Sequence, residues 1–319
     1  MSPTVDVRTP RHSGYRHEAF LYAGEDEFLA GCLPFVAAAV ADDEPVAVAL
    51  VPERLELLRH ALGDDAEWVH FVDMAELGHN PARILPGWRA FVDRAAATGG
   101  PIRGIGEPIW AGRRPAEIAE CQLHEALLNM AVEPDTAFWL RCPYDVGALP
   151  ASVTEAAQHS HPVIVGPEEE YRGSTVYEGL HHVQTLFSTP LPEPVGAGPS
   201  SSFGAEDLPA LRRMVESMAA GTTLSPERVA EFGLAVHEIA TNSVRHGGGS
   251  GRFRAWIASD AVSCDVVDSG HIDNPLVGRI APDLTAEGGR GIWLANQLAD
   301  LVQIRSSADG TTVRITAWL

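Results

Sequence analysis

The 319-residue sequence contains no lysine. Walker-type phosphate loops, Schiff-base enzymes and protein kinases of the usual type each depend on a lysine, so the sequence excludes these three classes. Cysteine is also scarce: the 4 that are present form no C-x-x-C pair, which excludes a zinc ribbon and a recognisable disulfide framework. A phosphate group bound by this chain must therefore be held by backbone amides, arginines or a metal ion.

The sequence also lacks an apolar signal core near its N-terminus and any apolar run long enough to span a membrane. We therefore expect a cytoplasmic protein that does not associate with a membrane. Basic residues are few, with 23 Lys+Arg against 43 Asp+Glu and a net charge of -20. This excess of negative charge argues against direct binding of nucleic acid, because it repels a phosphate backbone.

A segment rich in proline, glycine and serine divides the chain. Residues 188–202 read STPLPEPVGAGPSSS, a composition that cannot build a packed core. A chain of this length has room for about two domains. We therefore predict one domain over residues 14–187, a linker over residues 188–202 and a second domain over residues 203–319.

Apolar runs alternate with helical stretches before the linker. Strands are predicted in EAFLYA, PVAVALV, EWVHFVD, RGIGEPIW and AFWLRCP, and helices over residues 25–41, 53–61, 82–97 and 114–131. The continuously apolar run from Val46 to Val51 is typical of a strand covered on both faces. The alternation predicts an α/β domain with a mostly parallel sheet flanked by helices.

The order of elements changes after the linker. Apolar residues recur at helical spacing from Leu208, and Ser225 followed by Pro226 predicts the start of a second helix. Strand-like runs follow in FRAWIA, VSCDVVD and TTVRITAWL, with a helix predicted over residues 291–300. These elements predict an α/β sandwich in which helices cover one face of a mixed sheet.

Four motifs occur in order in this second half. Glu238 and Asn242 are four residues apart and so share one helical face, and Asp268-Ser-Gly follows a strand. A glycine cluster, EGGRG, then opens a helix, and DGTTVRI turns into the last strand. Taken singly, these motifs are also typical of an ordinary turn, a flexible connection or a buried polar pair.

In this order the four motifs resemble the ATP-binding domain of the GHKL superfamily (the Bergerat fold), in particular the anti-sigma-factor serine kinases. The resemblance covers about residues 203–319 and implies that ATP and Mg²⁺ are the cofactors. It implies that Glu238 is the catalytic base, that Asn242 is a ligand of Mg²⁺, and that Asp268 accepts a hydrogen bond from adenine. The other residues implied to contact the nucleotide are Gly270, Gly288, Gly289, Arg290, Gly291, Thr311 and Thr312.

The first half resembles a second family. The segments RHEAFLYAGEDEFLAGCLPFVAAAV, GEPIW, RRPAEIAECQLHEALLN and RCPYDVGALP resemble the MEDS sensory domain, over about residues 14–166. The resemblance implies a RecA-like core without a Walker loop that senses a small molecule. Open α/β sheets bind ligands at strand ends. The polar residues that we place there as ligand candidates are His17, Glu107, Trp110, Glu125, Asn129, Cys142 and Asp145.

Two other interpretations of these residues stay open at this point. Cys121 and His124 could bind a metal ion together with Cys142, although a fourth ligand is missing from this set. Alternatively, Glu120, His124 and Glu125 could form ion pairs on the surface of a helix.

Together the two resemblances imply a regulator in which a sensing domain controls an ATP-binding domain. Its expected protein partner is a sigma factor or an anti-sigma-factor antagonist. If the chain is an enzyme, it would phosphorylate the antagonist on serine or threonine. Two alternatives remain: a nucleotide-dependent binding switch without phosphoryl transfer, and a histidine-kinase relative that lacks its acceptor domain. Histidine autophosphorylation is disfavoured because no pair of long helices precedes residue 203 to carry an acceptor histidine.

Overall fold

The computed structural model describes residues 14–97, 99–282 and 290–319. Its internal contacts divide the chain into two compact units, Met1–Val183 and Gln184–Leu319, which we describe separately. Among the described residues, no helix combines the length and the apolar character needed to cross a lipid bilayer.

The first unit is built on a seven-stranded sheet in the order β3-β2-β4-β5-β1-β6-β7. Neighbouring strands are parallel except for the pair of β6 and β7. The strands are β1 (Arg16–Tyr22), β2 (Val46–Leu50), β3 (Val69–Asp73), β4 (Ile102–Gly106), β5 (Phe138–Asp145), β6 (Val163–Val165) and β7 (Tyr171–Gly173). The predicted mostly parallel α/β sheet is confirmed.

Helices alternate with these strands, and short 3-10 turns cover Gly63–Trp68 and Pro81–Arg83. The helices are α1 (Gly24–Ala41), α2 (Pro52–Leu62), α3 (Met74–Leu77), α4 (Ile84–Ala96), α5 (Pro115–Ala131) and α6 (Ala151–Ser160). All five residues of β2 are buried, as the continuously apolar run predicted. A further helix, α7 (Leu180–Ser188), crosses the division between the two units.

A buried ion pair fixes β1 against β5. Arg141 is fully buried and directly opposite Glu18 in the parallel register. Its guanidinium donates to Glu18 Oε1 over 2.6 Å and to the carbonyl oxygen of Gly31 in α1 over 2.5 Å. Because successive residues alternate faces, the neighbours of this pair, His17 and Cys142, point to the opposite side of the sheet. That side carries the polar cluster described below.

The second unit contains a five-stranded sheet in the order β11-β12-β10-β9-β8. Its strands are β8 (Ser201–Phe203), β9 (Gly251–Ile257), β10 (Ala261–Asp268), β11 (Leu301–Ser307) and β12 (Gly310–Trp318). A 3-10 turn (Ala205–Asp207) precedes α8 (Leu208–Ala220), α9 (Pro226–His246) and α10 (Arg290–Leu298). The long helix α9 packs against α8, α10 and the strands β9, β10 and β12.

The predicted α/β sandwich is confirmed, with one correction to its sheet. All four strand pairings are antiparallel, whereas the sequence predicted a mixed sheet. The reason is local: β9 and β10 are joined by a short hairpin, and so are β11 and β12. The sequence did not predict β11, because it follows α10 after only two residues, without a glycine or proline to mark the boundary.

Candidate functional site

The long helix α9 presents Glu238 and Asn242 to the site. Ser225 begins the helix as predicted: its side chain accepts a hydrogen bond from the backbone N–H of Arg228. Glu238 and Asn242 lie one turn apart on the same face, both half-buried. The helix then ends at His246, beside the end of strand β10.

The carboxylate of Asp268 is held at the end of β10 by two donors. Ser243 Oγ donates to Oδ2 over 2.5 Å, and the backbone N–H of Gly270 donates to Oδ1 over 2.8 Å. Gly247 packs against the same carboxylate, since a Cβ added there would lie 2.3 Å from Asp268 Cγ. Position 247 therefore requires glycine, which explains why the helix ends in His-Gly at this point.

Strand β12 lies next to β10 and contributes Thr311 to the site. Thr311 pairs with Asp268 in the antiparallel register, and its hydroxyl donates to the carbonyl oxygen of Gly270 over 2.8 Å. Gly310 precedes it with a φ of +122°, and a Cβ there would lie 2.2 Å from the carbonyl oxygen of Asp268. The turn can therefore pass this closely behind Asp268 only because residue 310 is glycine.

These residues surround a cavity of about 480 Å³. The volume lies in the range of pockets that hold small molecules and cofactors. Its walls combine apolar side chains with a few polar groups, so a flat heterocycle can be buried while its edge is hydrogen-bonded. The lining residues are Ile239, Asn242, Ser243, His246, Gly247, Asp268, Gly270, His271, Ile272, Asp273, Asn274, Val277, Ile292, Thr311 and Val313.

The start of α10 lies against Glu238 and Asn242. A Cβ added to Gly291 would lie 2.9 Å from Asn242 Nδ2 and 3.1 Å from Glu238 Oε2. Arg290, the first residue of α10, is exposed. Gly288 and Gly289, which we also expect to contact the nucleotide, lie outside the described residues. The structure thus brings Arg290 and Gly291 to the edge of the site where the two α9 side chains project.

The seven ligand candidates of the first unit separate into two places. His17 and Cys142 point to one face of the sheet from within β1 and β5, and Glu125 on α5 lies between them. Asn129 bonds His17 from the same helix. His161, which follows α6, joins this buried group with Nε2 at 3.2 Å from Glu125 Oε2. We call these residues the buried cluster.

Burial and mutual contact shift the pKa values in the buried cluster. Burial, reinforced by the nearby His161, lowers the pKa of His17. Burial alone would raise the pKa of Glu125, but hydrogen bonds and charge from His161 and His17 outweigh it and lower that pKa. Burial and the neighbouring Glu125 carboxylate raise the pKa of the Cys142 thiol. The cluster therefore keeps a carboxylate, a thiol and imidazole groups in one water-excluded place.

The other three candidates line an open cavity of about 630 Å³ at the carboxyl ends of the parallel strands. These candidates are Glu107, Trp110 and Asp145. Arg54 also lines the cavity, and its Nη2 lies 2.9 Å from Asp145 Oδ2. Tyr22 donates to Glu107 Oε1 over 3.3 Å. Burial raises the pKa of Glu107 to about 7, against the opposing effect of the Arg54 charge.

Each of the two units of the chain matches a known family. Residues 16–162 match the family described as MEDS, the MEthanogen/methylotroph, DcmR Sensory domain. Residues 202–317 match the Histidine kinase-like ATPase domain. The chain joins a MEDS domain to a histidine kinase-like ATPase domain.

A solved structure is also similar to part of the chain. It is described as the crystal structure of the RsbU and RsbW domains of Rv1364c from Mycobacterium tuberculosis. The two share 20% sequence identity with a TM-score of 0.28, over 38% of this chain and 32% of that chain. The match therefore spans about a third of the length of that protein. No curated protein matches the chain.

The ATPase domain requires one correction within the predicted site. Thr311 and Thr312 were both expected to contact the nucleotide, but only Thr311 lines the cavity beside Asp268. Thr312 lies on the opposite face of the sheet, where it lines a separate cavity with Arg252 and Arg254. Adjacent residues of a strand point to opposite faces, so the two threonines cannot share one site.

Several residues of the same cavity were not predicted from the sequence. Ser243 was not singled out, although it is next to Asn242 and bonds Asp268 directly. His271, Ile272 and Asn274 also line the cavity. Ser243 could have been found from helical spacing, because positions 239, 243 and 246 form the stripe beside Glu238 and Asn242. The residues after Gly270 carry no such periodic signal.

The MEDS domain corrects three expectations. His17 lies near the beginning of β1 and Cys142 in the middle of β5, both on a buried face of the sheet rather than at the carboxyl ends of the strands. Glu120, His124 and Glu125 are buried, so they do not form a helix surface. Within the described residues, the groups able to hold a metal ion include Cys142 but neither Cys121 nor His124. Cys121 instead donates to the carbonyl oxygen of Pro108.

Proposed function

We propose that this protein is a signalling regulator in which the MEDS domain senses a small molecule and thereby controls Mg²⁺-dependent ATP binding by the other domain. The family matches support a sensory domain joined to an ATPase domain. The observation that carries the nucleotide proposal is the 480 Å³ cavity, whose lining includes Asp268, Thr311 and Asn242 together.

The residues at this cavity fit an adenine nucleotide. Each carboxylate oxygen of Asp268 accepts one hydrogen bond in the structure and can accept another, so it can receive the exocyclic amine of adenine. Apolar residues such as Ile239 and Ile292 would pack against the faces of the base. Because Gly291 has no side chain, the start of α10 can lie close to Glu238 and Asn242, so phosphate groups bound at this helix start would be within reach of both side chains.

Metal and phosphate ligands fit the other end of the site. The side-chain oxygen of Asn242 is a hard ligand of the kind that Mg²⁺ binds, and Arg290 supplies a positive charge without a lysine. When bound, ATP would supply the phosphoryl group and Mg²⁺ would offset its negative charge.

We further propose that Glu238 serves as the general base of a serine or threonine kinase. In the transfer, the substrate hydroxyl oxygen bonds to the γ-phosphorus, ADP leaves, and Glu238 accepts the hydroxyl proton. Glu238 is suited to this role because it lies one helical turn from Asn242 and beside Gly291. The substrate would be an anti-sigma-factor antagonist, and a sigma factor would be the second partner. This assignment rests on the resemblance to the anti-sigma-factor serine kinases.

Calorimetry on the full-length chain tests nucleotide binding. We expect ATP and ADP to bind in the presence of Mg²⁺. GTP should bind more weakly, because guanine carries a carbonyl oxygen at position 6, where adenine has the amine proposed to face Asp268. No binding of ATP or ADP would overturn the proposal.

Incubation with radiolabelled ATP and a candidate antagonist tests phosphoryl transfer. Label on a serine or threonine of the antagonist supports the kinase. Nucleotide-dependent binding of the antagonist without label would indicate the binding switch. ATP binding without label on either protein and without binding of the antagonist would leave the histidine-kinase relative that lacks its acceptor domain. Acid-labile label on the chain itself would instead show an acceptor histidine within it. His161 is disfavoured as such an acceptor because it is fully buried.

For the MEDS domain we propose that the 630 Å³ cavity is the small-molecule site. Its described lining holds four carboxylates and one guanidinium, that of Arg54, so it favours a polar or cationic ligand. Trp110 lines the cavity and serves as a fluorescence reporter in a ligand screen. A ligand that quenches wild-type fluorescence and leaves the Trp110→Phe variant unchanged would support this assignment, and a response retained by that variant would contradict it.

A further inference from the structure

The buried cluster of the MEDS domain brings four possible metal ligands to one point. They are His17 Nε2, His161 Nε2, Glu125 Oε2 and Cys142 Sγ, all within 4.8 Å of one another. Each of the four residues is at most 1% exposed. They come from β1, from α5, from β5 and from the residue after α6, so the fold converges on this point from four separate elements.

Hydrogen bonds to the Nδ1 atoms of His17 and His161 fix the orientation of both imidazole rings. Asn129 Nδ2 donates to the carbonyl oxygen of Ser160 over 2.7 Å, so its Oδ1 is the atom that faces His17 Nδ1 at 3.1 Å. Because an amide oxygen only accepts, His17 Nδ1 must carry the hydrogen. His161 Nδ1 likewise donates to the carbonyl oxygen of Ala157 over 2.7 Å. In the neutral rings, both Nε2 atoms therefore present lone pairs to the centre of the cluster.

These lone pairs face the Glu125 carboxylate, which only accepts, and the Cys142 thiol, whose hydrogen is donated to Glu125. Glu125 Oε2 lies 3.0 Å from His17 Nε2 and 3.2 Å from His161 Nε2, and Cys142 Sγ lies 3.4 Å from His17 Nε2 and from Glu125 Oε2. Among the described groups, His161 Nε2 and Glu125 Oε1 are buried without a hydrogen-bond partner. The thiol proton of Cys142 satisfies one of these contacts, whereas one cation at the centre would satisfy all four.

The spacing agrees with a four-coordinate ion. Bonds of about 2.0–2.3 Å to nitrogen, oxygen and sulfur require ligand atoms roughly 3.3–3.8 Å apart at tetrahedral geometry. Four of the six separations, at 3.0 to 3.4 Å, lie at or just below that range, and the other two are within 4.8 Å. The outer hydrogen bonds from His17 and His161 are of the kind that orient metal-binding imidazoles.

We propose that His17, Glu125, Cys142 and His161 bind one divalent transition-metal ion, with Zn²⁺ as the reference metal. Two imidazoles, a thiolate and a carboxylate suit Zn²⁺ and its neighbours, whereas Ca²⁺ and Mg²⁺ prefer oxygen ligands. All four positions are filled by protein and are closed to water, as in structural rather than catalytic sites. The ion therefore ties β1, β5, α5 and the end of α6 together, and Cys142 loses its proton when the ion binds.

Cobalt substitution of the untagged full-length chain provides the direct test. The chain is stripped of metal under reducing conditions and titrated with Co²⁺, and then with Zn²⁺ in competition. We expect one equivalent of Co²⁺ with thiolate-to-cobalt charge-transfer absorption, which Zn²⁺ then removes. Absence of this absorption at saturating Co²⁺ would overturn the proposal, and this readout on the wild-type chain does not depend on the folding of any variant.

Variants locate the site within the chain. We expect Cys142→Ser to abolish the charge-transfer band, and His161→Gln to weaken binding by at least about 10-fold. Cys121→Ser is the matched control, since Cys121 is also fully buried in the MEDS domain but lies outside the cluster. Retention of the band in Cys142→Ser, or its loss in Cys121→Ser, would contradict the assignment.

A second group of three side chains, His159, Glu178 and His182, also has the spacing to hold an ion. These residues are partly exposed and include no thiol. Cobalt bound there would give no thiolate absorption and would respond to His182→Ala. Total metal content that falls only in His182→Ala would assign the ion to this second group and overturn the proposal for the buried cluster.

Discussion

Ser243 donates a hydrogen bond of 2.5 Å to the carboxylate of Asp268 and so joins helix α9 to the end of strand β10. The same helix carries Glu238 and Asn242 one turn earlier. The group proposed to recognise adenine is thus connected through one helix to the groups proposed to act on the phosphates. This connection makes the hydroxyl of Ser243 a positioning group that the sequence motifs alone did not indicate.

We predict that Ser243→Ala lowers the affinity for ADP by about 1 kcal/mol, or roughly 5-fold, because Asp268 loses one of its two donors. Asp268→Asn should cost more, about 1–3 kcal/mol, since the acceptor for the adenine amine is itself altered. Calorimetry measures both. Ser263→Ala is the matched control: Ser263 is a buried serine of β10 bonded to Thr316, outside the cavity lining. An equal loss in the control would show that the effect reflects general destabilisation.

A second prediction separates binding from chemistry at Glu238 and Asn242. Glu238→Gln should reduce phosphoryl transfer by at least about 100-fold with little change in ATP affinity, because a general base acts mainly in the transition state. Asn242→Ala should instead remove the Mg²⁺ dependence of ATP binding. Affinity is measured by titration with and without Mg²⁺, and transfer by single-turnover labelling of the antagonist.

The control for these two variants lies on the same helix. Glu227→Gln changes an exposed glutamate in the first turn of α9 and should alter neither quantity. If Glu238→Gln weakens ATP binding as strongly as Asn242→Ala does, Glu238 supports the site structurally and is not its base.

The sequence predicted the ATPase-domain site better than the MEDS-domain site, for a physical reason. Glu238 and Asn242 on one helix, and Asp268 at the end of one strand, are set by local periodicity. Thr311 opposes Asp268 only through the pairing of β12 with β10, and its neighbour Thr312 was misplaced because the alternation of the strand was not applied. Local geometry was sufficient to place Glu238, Asn242 and Asp268. Strand register was needed to place Thr311 and Thr312.

In the MEDS domain the decisive contacts are long-range. His161 approaches His17 because β6 pairs with β1, and neither β6 nor α6 was predicted from the sequence. The expectation that ligands gather at strand ends grouped residues from two different places. Glu107 and Asp145 do lie at the carboxyl ends of strands, whereas His17 lies at the beginning of β1. Tertiary pairing, rather than residue type, separates the cavity from the buried cluster.

A third prediction concerns the close approach of α10 to α9. In Gly291→Ala the new Cβ would lie 2.9 Å from Asn242 Nδ2 and 3.1 Å from Glu238 Oε2, so both side chains must move. We expect Mg²⁺-ATP affinity to fall about 10-fold, which is about 1.4 kcal/mol. Stability should not fall, because alanine within a helix is favoured over glycine by roughly 0.5–1 kcal/mol.

Calorimetry and urea unfolding together test this prediction. Gly198→Ala is the control, since a Cβ at Gly198 would meet nothing within 4 Å. Unchanged Mg²⁺-ATP affinity in Gly291→Ala would mean that Glu238 and Asn242 do not act at the phosphate end of the site.

The last prediction concerns the pH dependence of stability at Glu107. Its folded-state pKa is raised to about 7 by burial, although Arg54 and the hydroxyl of Tyr22 oppose the shift and Asp145 adds to it. A carboxyl group with a raised folded-state pKa binds more protons in the folded than in the unfolded state between about pH 4.5 and 7. Its contribution to stability is therefore lost as pH rises through this window.

Glu107→Gln removes this titration while keeping the shape of the side chain. The stability of the variant relative to the wild type should therefore rise by about 2 kcal/mol between pH 5 and pH 8, as measured by urea unfolding at each pH. Glu53→Gln, an exposed position lining the same cavity, should show no such change. A relative stability that stays constant or falls with pH would mean that Arg54 holds Glu107 ionised throughout. In that case the cavity would present a fixed carboxylate, and ligand binding there would not depend on pH through this residue.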